Sequence, residues 1–152
     1  MMIEELRHWD REIARSILKV QIPAYKVEAR LIGHDIPALH DTVESIISSE
    51  ETYIGYYFNK ELAGVLSYDI TENVLDICRL VVAPPYFRKG IANDLIDHLL
   101  NTRAKGKVVR VTTGKRNTPA VNLYKKLGFC EKDEVKTSEG FMLTKMEKKH
   151  TF

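Results

Sequence analysis

Cysteine is scarce in this sequence: Cys78 and Cys130 are the only two in 152 residues. That is too few for the disulfide framework of a small secreted domain, and neither lies in a Cys-x-x-Cys pair or a Cys/His cluster with zinc spacing. Both read as small buried hydrophobes in a reducing compartment, and no metal site is expected. A long apolar run is lacking too. Between Met1 and Asp10, the residues Glu4, Glu5, Arg7 and Asp10 interrupt the apolar positions, which excludes a signal peptide or membrane span there and makes a cytoplasmic protein the expectation. With 8 Gly and 5 Pro, collagen-like and low-complexity chains are excluded. Charge of one sign is also missing: 23 Lys and Arg against 21 Asp and Glu leave a formal +2. Bulk charge therefore announces no nucleic acid. Lys145, Lys148 and Lys149, interrupted by Glu147, are an ordinary exposed run. Neither a nucleic-acid nor a membrane partner is expected.

What is present is a chain that is 44% hydrophobic, long enough for one domain that buries about 70% of its unfolded surface. No repeat or linker divides it, so a single domain over 1–152 is expected. Ile3, Leu6, Ile13, Ile17 and Val20 fall near one face at helical spacing with Trp9 alongside, predicting a helix over 3–20 that Pro23 ends. Tyr25, Val27, Ala29 and Leu31 alternate with Lys26, Glu28 and Arg30; this predicts a strand over 25–32, with a short helix as the alternative. A second helix is expected from Asp41 to Ser48. Thr52 to Phe58, Leu62 to Ile70 and Val74 to Val82 read as three antiparallel strands joined by short polar turns. The aromatics Tyr53, Tyr56, Tyr57 and Phe58 on the first of these face opposite sides and are read as core. Ile91, Leu95, Ile96, Leu99 and Leu100 recur at helical spacing before the β-branched run Val108 to Thr113, so a crossover unit with parallel strands follows. Thr118 is placed to cap a helix with Pro119 at its first position and Gly128 just past its end. Final strands are expected at Phe129 to Val135 and Gly140 to Met146.

The most informative stretch is Leu80-Val81-Val82-Ala83-Pro84-Pro85-Tyr86-Phe87-Arg88-Lys89-Gly90-Ile91-Ala92, a strand that turns into a helix. The first turn of a helix carries N–H groups without partners at the positive end of the dipole, ready for a phosphate or pyrophosphate. Gly90 and Ala92 leave room for close approach, and Arg88 and Lys89 add positive charge. By itself, such a corner also fits ordinary chain turning. It has neither the spacing of a P-loop nor the Gly-x-Gly-x-x-Gly of dinucleotide binders.

A second stretch is Asn117-Thr118-Pro119-Ala120-Val121-Asn122-Leu123-Tyr124-Lys125-Lys126-Leu127-Gly128-Phe129. Together the two resemble the GCN5-related N-acetyltransferase (GNAT) family, whose signature is a Val-x-Pro turn, an (Arg/Gln)-x-x-Gly-x-(Gly/Ala) loop, and later Asn, Ala and Tyr on a helix ending in Gly-Phe. Val82-Ala83-Pro84, Gly90, Ala92, Asn117, Ala120, Tyr124 and Gly128-Phe129 match in order over roughly 52–146. Phe87 stands where the family usually has Arg or Gln, with Arg88 one residue later to supply charge.

The resemblance implies a mixed α/β (α+β) fold: a strongly twisted mixed sheet of about six or seven strands flanked by helices, here with an N-terminal helical extension. It also implies acetyl-CoA as acyl donor, with no metal, and an unidentified primary amine of a small molecule or protein as acceptor. The backbone of Leu80, Val81 and Val82 would pair with the pantetheine arm. Phe87, Arg88, Lys89, Gly90, Ile91 and Ala92 would cradle the pyrophosphate, and Asn117 and Tyr124 would contact the arm. Tyr124 would also be the general acid for the departing thiolate. No base is marked: Glu72 and Asp76 are candidates, also readable as solvated surface carboxylates. His34, His40 and His98 lack partner spacing. An acyl-cysteine route is not expected. A non-catalytic acyl-CoA-binding or sensing module stays open as the alternative function, a bare phosphate-binding module ranks below it, and a homodimer stays open as an assembly.

Overall fold

The computed structural model describes residues 2–150; Met1, Thr151 and Phe152 of the expected domain lie outside them. The chain runs β1 (Met2–Leu6), α1 (Arg11–Ile32), a single 3-10 turn (Pro37–His40), α2 (Val43–Ile47), β2 (Thr52–Phe58), β3 (Glu61–Thr71) and β4 (Val74–Val82). After a 3-10 turn (Pro84–Tyr86) come α3 (Ile91–Thr102), β5 (Lys107–Gly114), α4 (Thr118–Lys126), β6 (Cys130–Lys136) and β7 (Met142–His150). The seven strands among the described residues form one sheet in the order β1-β2-β3-β4-β5-β7-β6. Every pairing is antiparallel except that of β4 with β5, which α3 connects as a crossover.

The N-terminal reading is corrected. Ile3 and Leu6 belong not to a helix but to an edge strand, paired with β2 from Met2↔Tyr57 to Leu6↔Tyr53. The long helix begins only at Arg11, where the Asp10 side chain accepts from Glu12 N–H at 2.9 Å, and it runs through Pro23 to the left-handed Gly33 (φ 83°). Pro23 is exposed on the outer face, while Ala14, Ile17, Val20, Gln21, Ala24 and Tyr25 bury the inner one. That packing outweighs the backbone bond a helical proline removes. The expected strand at 25–32 is likewise helix. Tyr25 and Ile32 are buried on one face with Glu28 half-buried between them, and Val27 and Leu31 point outward.

The sheet buries a core on each face. Leu66, Leu75 and Val109 pack with Ile91, Leu95, Ile96 and Leu99 of α3 on one side. On the other, Val65 and Val81 pack with Leu6, Ile17, Val20 and Ile46. Each such side chain contributes about 1.5–3 kcal/mol of burial. Tyr53 and Tyr56 go to opposite cores, as strand alternation requires. Cys78 and Cys130 are not buried as expected but exposed. Cys78 is the extra residue of a bulge between Ser67↔Arg79 and Tyr68↔Ile77, and Cys130 opens an exposed edge strand.

Candidate active site

The parallel pairing of β4 with β5 spans only Val74↔Val108 to Ile77↔Val111. Beyond it each strand follows its other neighbour: Arg79 to Val82 remain paired with β3, and Thr112 to Gly114 with β7. The bulge at Cys78 sits where they part. Between them opens a cavity of about 590 Å³. Leu80, Ala92, Asn117 and Tyr124 line it from one side, and Tyr25, Glu28 and Ile32 of α1 from the other.

Backbone direction sharpens the role of β4. Ala83 N–H donates to Ala63 O of β3 at 2.8 Å. Peptide groups alternate along a strand, so the polar groups of Leu80 and Val82 face the gap and those of Val81 face β3. The Val81 side chain is buried against α1.

Of the loop residues expected at a pyrophosphate, Phe87, Arg88, Lys89 and Gly90 are exposed at the mouth of α3, and Ile91 buries its side chain in the core. Arg88 (φ 65°) and Gly90 (φ 77°) are left-handed and Lys89 between them is not. This alternation turns successive N–H groups into one concavity. The first bond of α3 runs from Asp94 N–H to Gly90 O at 3.0 Å, leaving the N–H groups of Ile91, Ala92 and Asn93 without intrahelical acceptors. A Cβ built on Gly90 would meet nothing within 4 Å, so the space before the loop is open. Lys89 Nζ lies 5.8 Å from the Phe58 ring centre.

Thr118 is not the cap of α4. Asn117 is, its side-chain oxygen accepting from Ala120 N–H at 3.2 Å, with Thr118 as the first helical residue. Asn117 also lines the cavity. Tyr124 is only 4% exposed and packs edge-on against Phe129. Burial raises its pKa well above the ordinary phenol value and the charge of Glu28 adds to the effect, so the hydroxyl keeps its proton at neutral pH.

Neither candidate base lines the cavity. Glu72 is exposed in the β3–β4 turn, and Asp76 lies below the point where the strands part, in register with Arg110. Glu28, which sequence reasoning missed, does line it; burial raises its pKa, and His34 partly opposes this. The spacing of Tyr25, Glu28 and Ile32, three and then four residues apart, was the available signal. Arg79 is the cavity's buried cation, and its charge is matched: it pairs with Asp41, donates to Glu51 at 3.0 Å and donates to Gln21 Oε1 at 3.0 Å. Among the described residues, no group of three or more His, Cys, Asp or Glu is arranged to hold a metal ion, and no helix is long and apolar enough to cross a membrane.

This geometry has known counterparts. Residues 22–150 match the acetyltransferase (GNAT) domain. The chain is 45% identical over 144 residues to the UPF0157 protein YqkA of Bacillus subtilis (strain 168), covering 94% of this chain and 42% of that protein. It therefore spans less than half the length of that relative. It is 30% identical over 113 residues to ribosomal protein bS18-alanine N-acetyltransferase of Escherichia coli (strain K12), covering 71% of this chain and 73% of that protein. The crystal structure of the Escherichia coli ribosomal-protein-S18-alanine N-acetyltransferase shares the fold with a TM-score of 0.78 at 17% identity, over 99% of this chain and 94% of that one. The PaiA N-acetyltransferase of Thermoplasma acidophilum, in complex with coenzyme A, shares it with a TM-score of 0.75 at 21% identity, over 98% and 99%. The chain belongs to the GNAT acetyltransferase family, a class of acyl-CoA-dependent N-acyltransferases that move an acetyl group from acetyl-CoA to an amine.

Proposed function

We propose that residues 1–152 form one N-acetyltransferase domain that passes an acetyl group directly from acetyl-CoA to a primary amine. The observation that carries this reading is the convergence, at one strand separation, of exposed β4 backbone, a loop of unpaired N–H groups and a protonated tyrosine. The polar groups of Leu80 and Val82 would pair with the amide-rich pantetheine arm, with Val81 holding the strand in place. Backbone from Arg88 to Ala92 would hold the pyrophosphate, with Arg88 and Lys89 adding charge, whereas the Phe87 N–H is already given to Pro84 O at 3.2 Å and only helps shape the loop. The Asn117 amide would donate to the arm. The amine nitrogen attacks the thioester carbonyl, and the intermediate collapses with C–S cleavage as Tyr124 Oη–H protonates the leaving sulfur. Arrangement in one cleft makes the attack effectively unimolecular. The family match and the amine-acetylating relative favour this over a sensing module. A cytoplasmic setting follows from the supply of acetyl-CoA.

Tyr124→Phe tests it. The ring and its packing on Phe129 remain and only the proton donor is lost, so acetyl transfer in a single turnover should fall about 100- to 10,000-fold while acetyl-CoA affinity changes little. Unchanged single-turnover rates in a folded variant would make Tyr124 a packing residue.

A further inference from the structure

The surroundings of the cavity differ in sign from one side to the other. Arg88 and Lys89 stand outside its lining, just before α3, whereas the lining itself carries Glu28 on α1 and the exposed carboxylates of Asp35 and Glu139. Tyr25 on the α1 wall and Tyr124 across from it mark the space between them as a ligand site. They are 8% and 4% exposed, line the same cavity, and their hydroxyls form no hydrogen bond among the described residues. Glu28 forms no ion pair among them either. Across the mouth, His34 stacks on Phe141 with ring centres 3.7 Å apart, joining the end of α1 to the β6–β7 turn.

We propose that Glu28 accepts the proton of the acceptor ammonium, with the Tyr25 hydroxyl positioning the amine, and that the acceptor is a small aliphatic amine carrying a second cationic group, which the carboxylates of Asp35 and Glu139 hold at the mouth. This rests on the acetyltransferase reading and names its acceptor side. An ammonium entering the α1 end gives one proton to the Glu28 carboxylate, which returns it to solvent. The freed nitrogen forms the N–C bond and the C–S bond breaks. Tyr124 protonates the sulfur and regains a proton as the nitrogen loses its second, so the sum is acetamide, free thiol and one proton released. The anionic cofactor at the basic end and the cationic acceptor at the acidic end meet where β4 and β5 part.

The titratable groups that line the cavity with Glu28 are Tyr25 on α1, His34 and Asp35 after it, Cys78 and Arg79 on β4, Tyr124 on α4 and Glu139 before β7. Arg79 is held by Asp41 and Glu51, Asp35 accepts from His40 at 2.7 Å, and the guanidinium of Arg116 lies beside Gly33. Burial raises the pKa of Glu28, which places its proton exchange above the ordinary glutamate range.

The test uses the full chain, acetyl-CoA, 1,5-diaminopentane and 1-aminopentane. The parent should acetylate the diamine with kcat/KM about tenfold or more above the monoamine, and D35N/E139Q should shrink that preference to about threefold or less, with the loss falling mainly on the diamine. Glu28→Gln should bind acetyl-CoA as the parent does but lose about 100-fold or more of kcat/KM at neutral pH. Its remaining rate should climb about tenfold per pH unit, because only amine deprotonated in solution reacts; Glu28→Asp should restore part of the rate. Stability separates chemistry from folding. A carboxylate whose folded pKa is raised adds stability only below its unfolded pKa and loses it as pH rises through the folded value, so Glu28→Gln should melt no lower than the parent at pH 8. A Glu28→Gln variant with the parent's pH profile overturns the base, and equal use of both amines, or no acetylation of either, overturns the acceptor class. Failure of the parent to bind acetyl-CoA would instead overturn the acetyltransferase reading on which both depend.

Discussion

Cys78 is exposed overall, but it lines the cavity, where partial loss of water and the nearby charges of Glu51, Asp69 and Asp76 push its thiol up to about 12, so at neutral pH it carries its proton and is a poor nucleophile. Its Sγ instead lies 3.6 Å from Asp76 O as a weak donor within the bulge. We predict that Cys78→Ser and Cys130→Ser keep kcat within about twofold, since a serine hydroxyl can make the same short contact and Cys130 is on an exposed edge. Intact-mass spectrometry of protein mixed with acetyl-CoA should show no acetyl adduct. An adduct formed and consumed at the rate of turnover would replace direct transfer with a two-step route. At this scale the sequence disclosed residues that belong to a contiguous motif, such as Tyr124, Asn117, Ala92 and Leu80, which do meet in the cavity. It hid Glu28, because a carboxylate in a stretch that reads as a strand comes to line the cavity only when that stretch, as a helix, is laid across a strand gap far along the chain.

Among the elements, the junction of β4 with α3 is the most legible and the most open to test. Gly90 is left-handed, a conformation that costs about 1 kcal/mol or more for most side chains, and it caps α3 without a side-chain bond. Gly90→Asp therefore adds strain and a negative charge beside N–H groups suited to an anion. We predict at least tenfold weaker acetyl-CoA binding by calorimetry, against no change for Lys60→Asp in the β2–β3 turn. Equal affinities would take the loop out of the cofactor site. The middle strands and α3 were readable because each is apolar on a face that one periodicity describes. Two elements were not. β1 is an edge strand with charged residues facing solvent and one partner far away in sequence, so its short pattern merged with the helix that follows. In α1, Pro23 and a chance alternation at 25–31 outweighed the helical spacing locally, although the burial of Tyr25 and Ile32 against the rest of the molecule decides the structure.

For the molecule as a whole, one polar network ties α1 to the sheet and hence bears on how wide the α1 side of the cavity is. Arg79 of β4 reaches Gln21 of α1, Asp41 before α2 and Glu51 before β2. Gln21 donates to Ala38 O at 2.9 Å and to Asp41 at 2.6 Å, and Ser67 of β3 donates to Glu51 at 2.6 Å. These residues are scattered from position 21 to 79, which is why no local pattern announced them. The Arg79 and Asp41 side chains are 14% and 18% exposed, so deleting the cation strands two carboxylates in poor solvent. Arg79→Met should destabilise the fold by about 2–4 kcal/mol at pH 7, below the cost at a fully dry site. The pH dependence gives the sign. Burial alone would raise the pKa of Asp41, but hydrogen bonds from Arg79 and Gln21 outweigh it and the net shift is downward. A depressed carboxylate contributes stability that is fully present above its unfolded pKa of about 4 and is lost as pH falls through the lower folded value. In Arg79→Met the stranded carboxylates can protonate without losing a partner. Urea unfolding of parent and variant should therefore differ most at pH 7 and converge as pH drops below about 4. A gap of the same size at both pH values would mean that Arg79 holds α1 by packing its stem, and that charge has little part in setting the cavity.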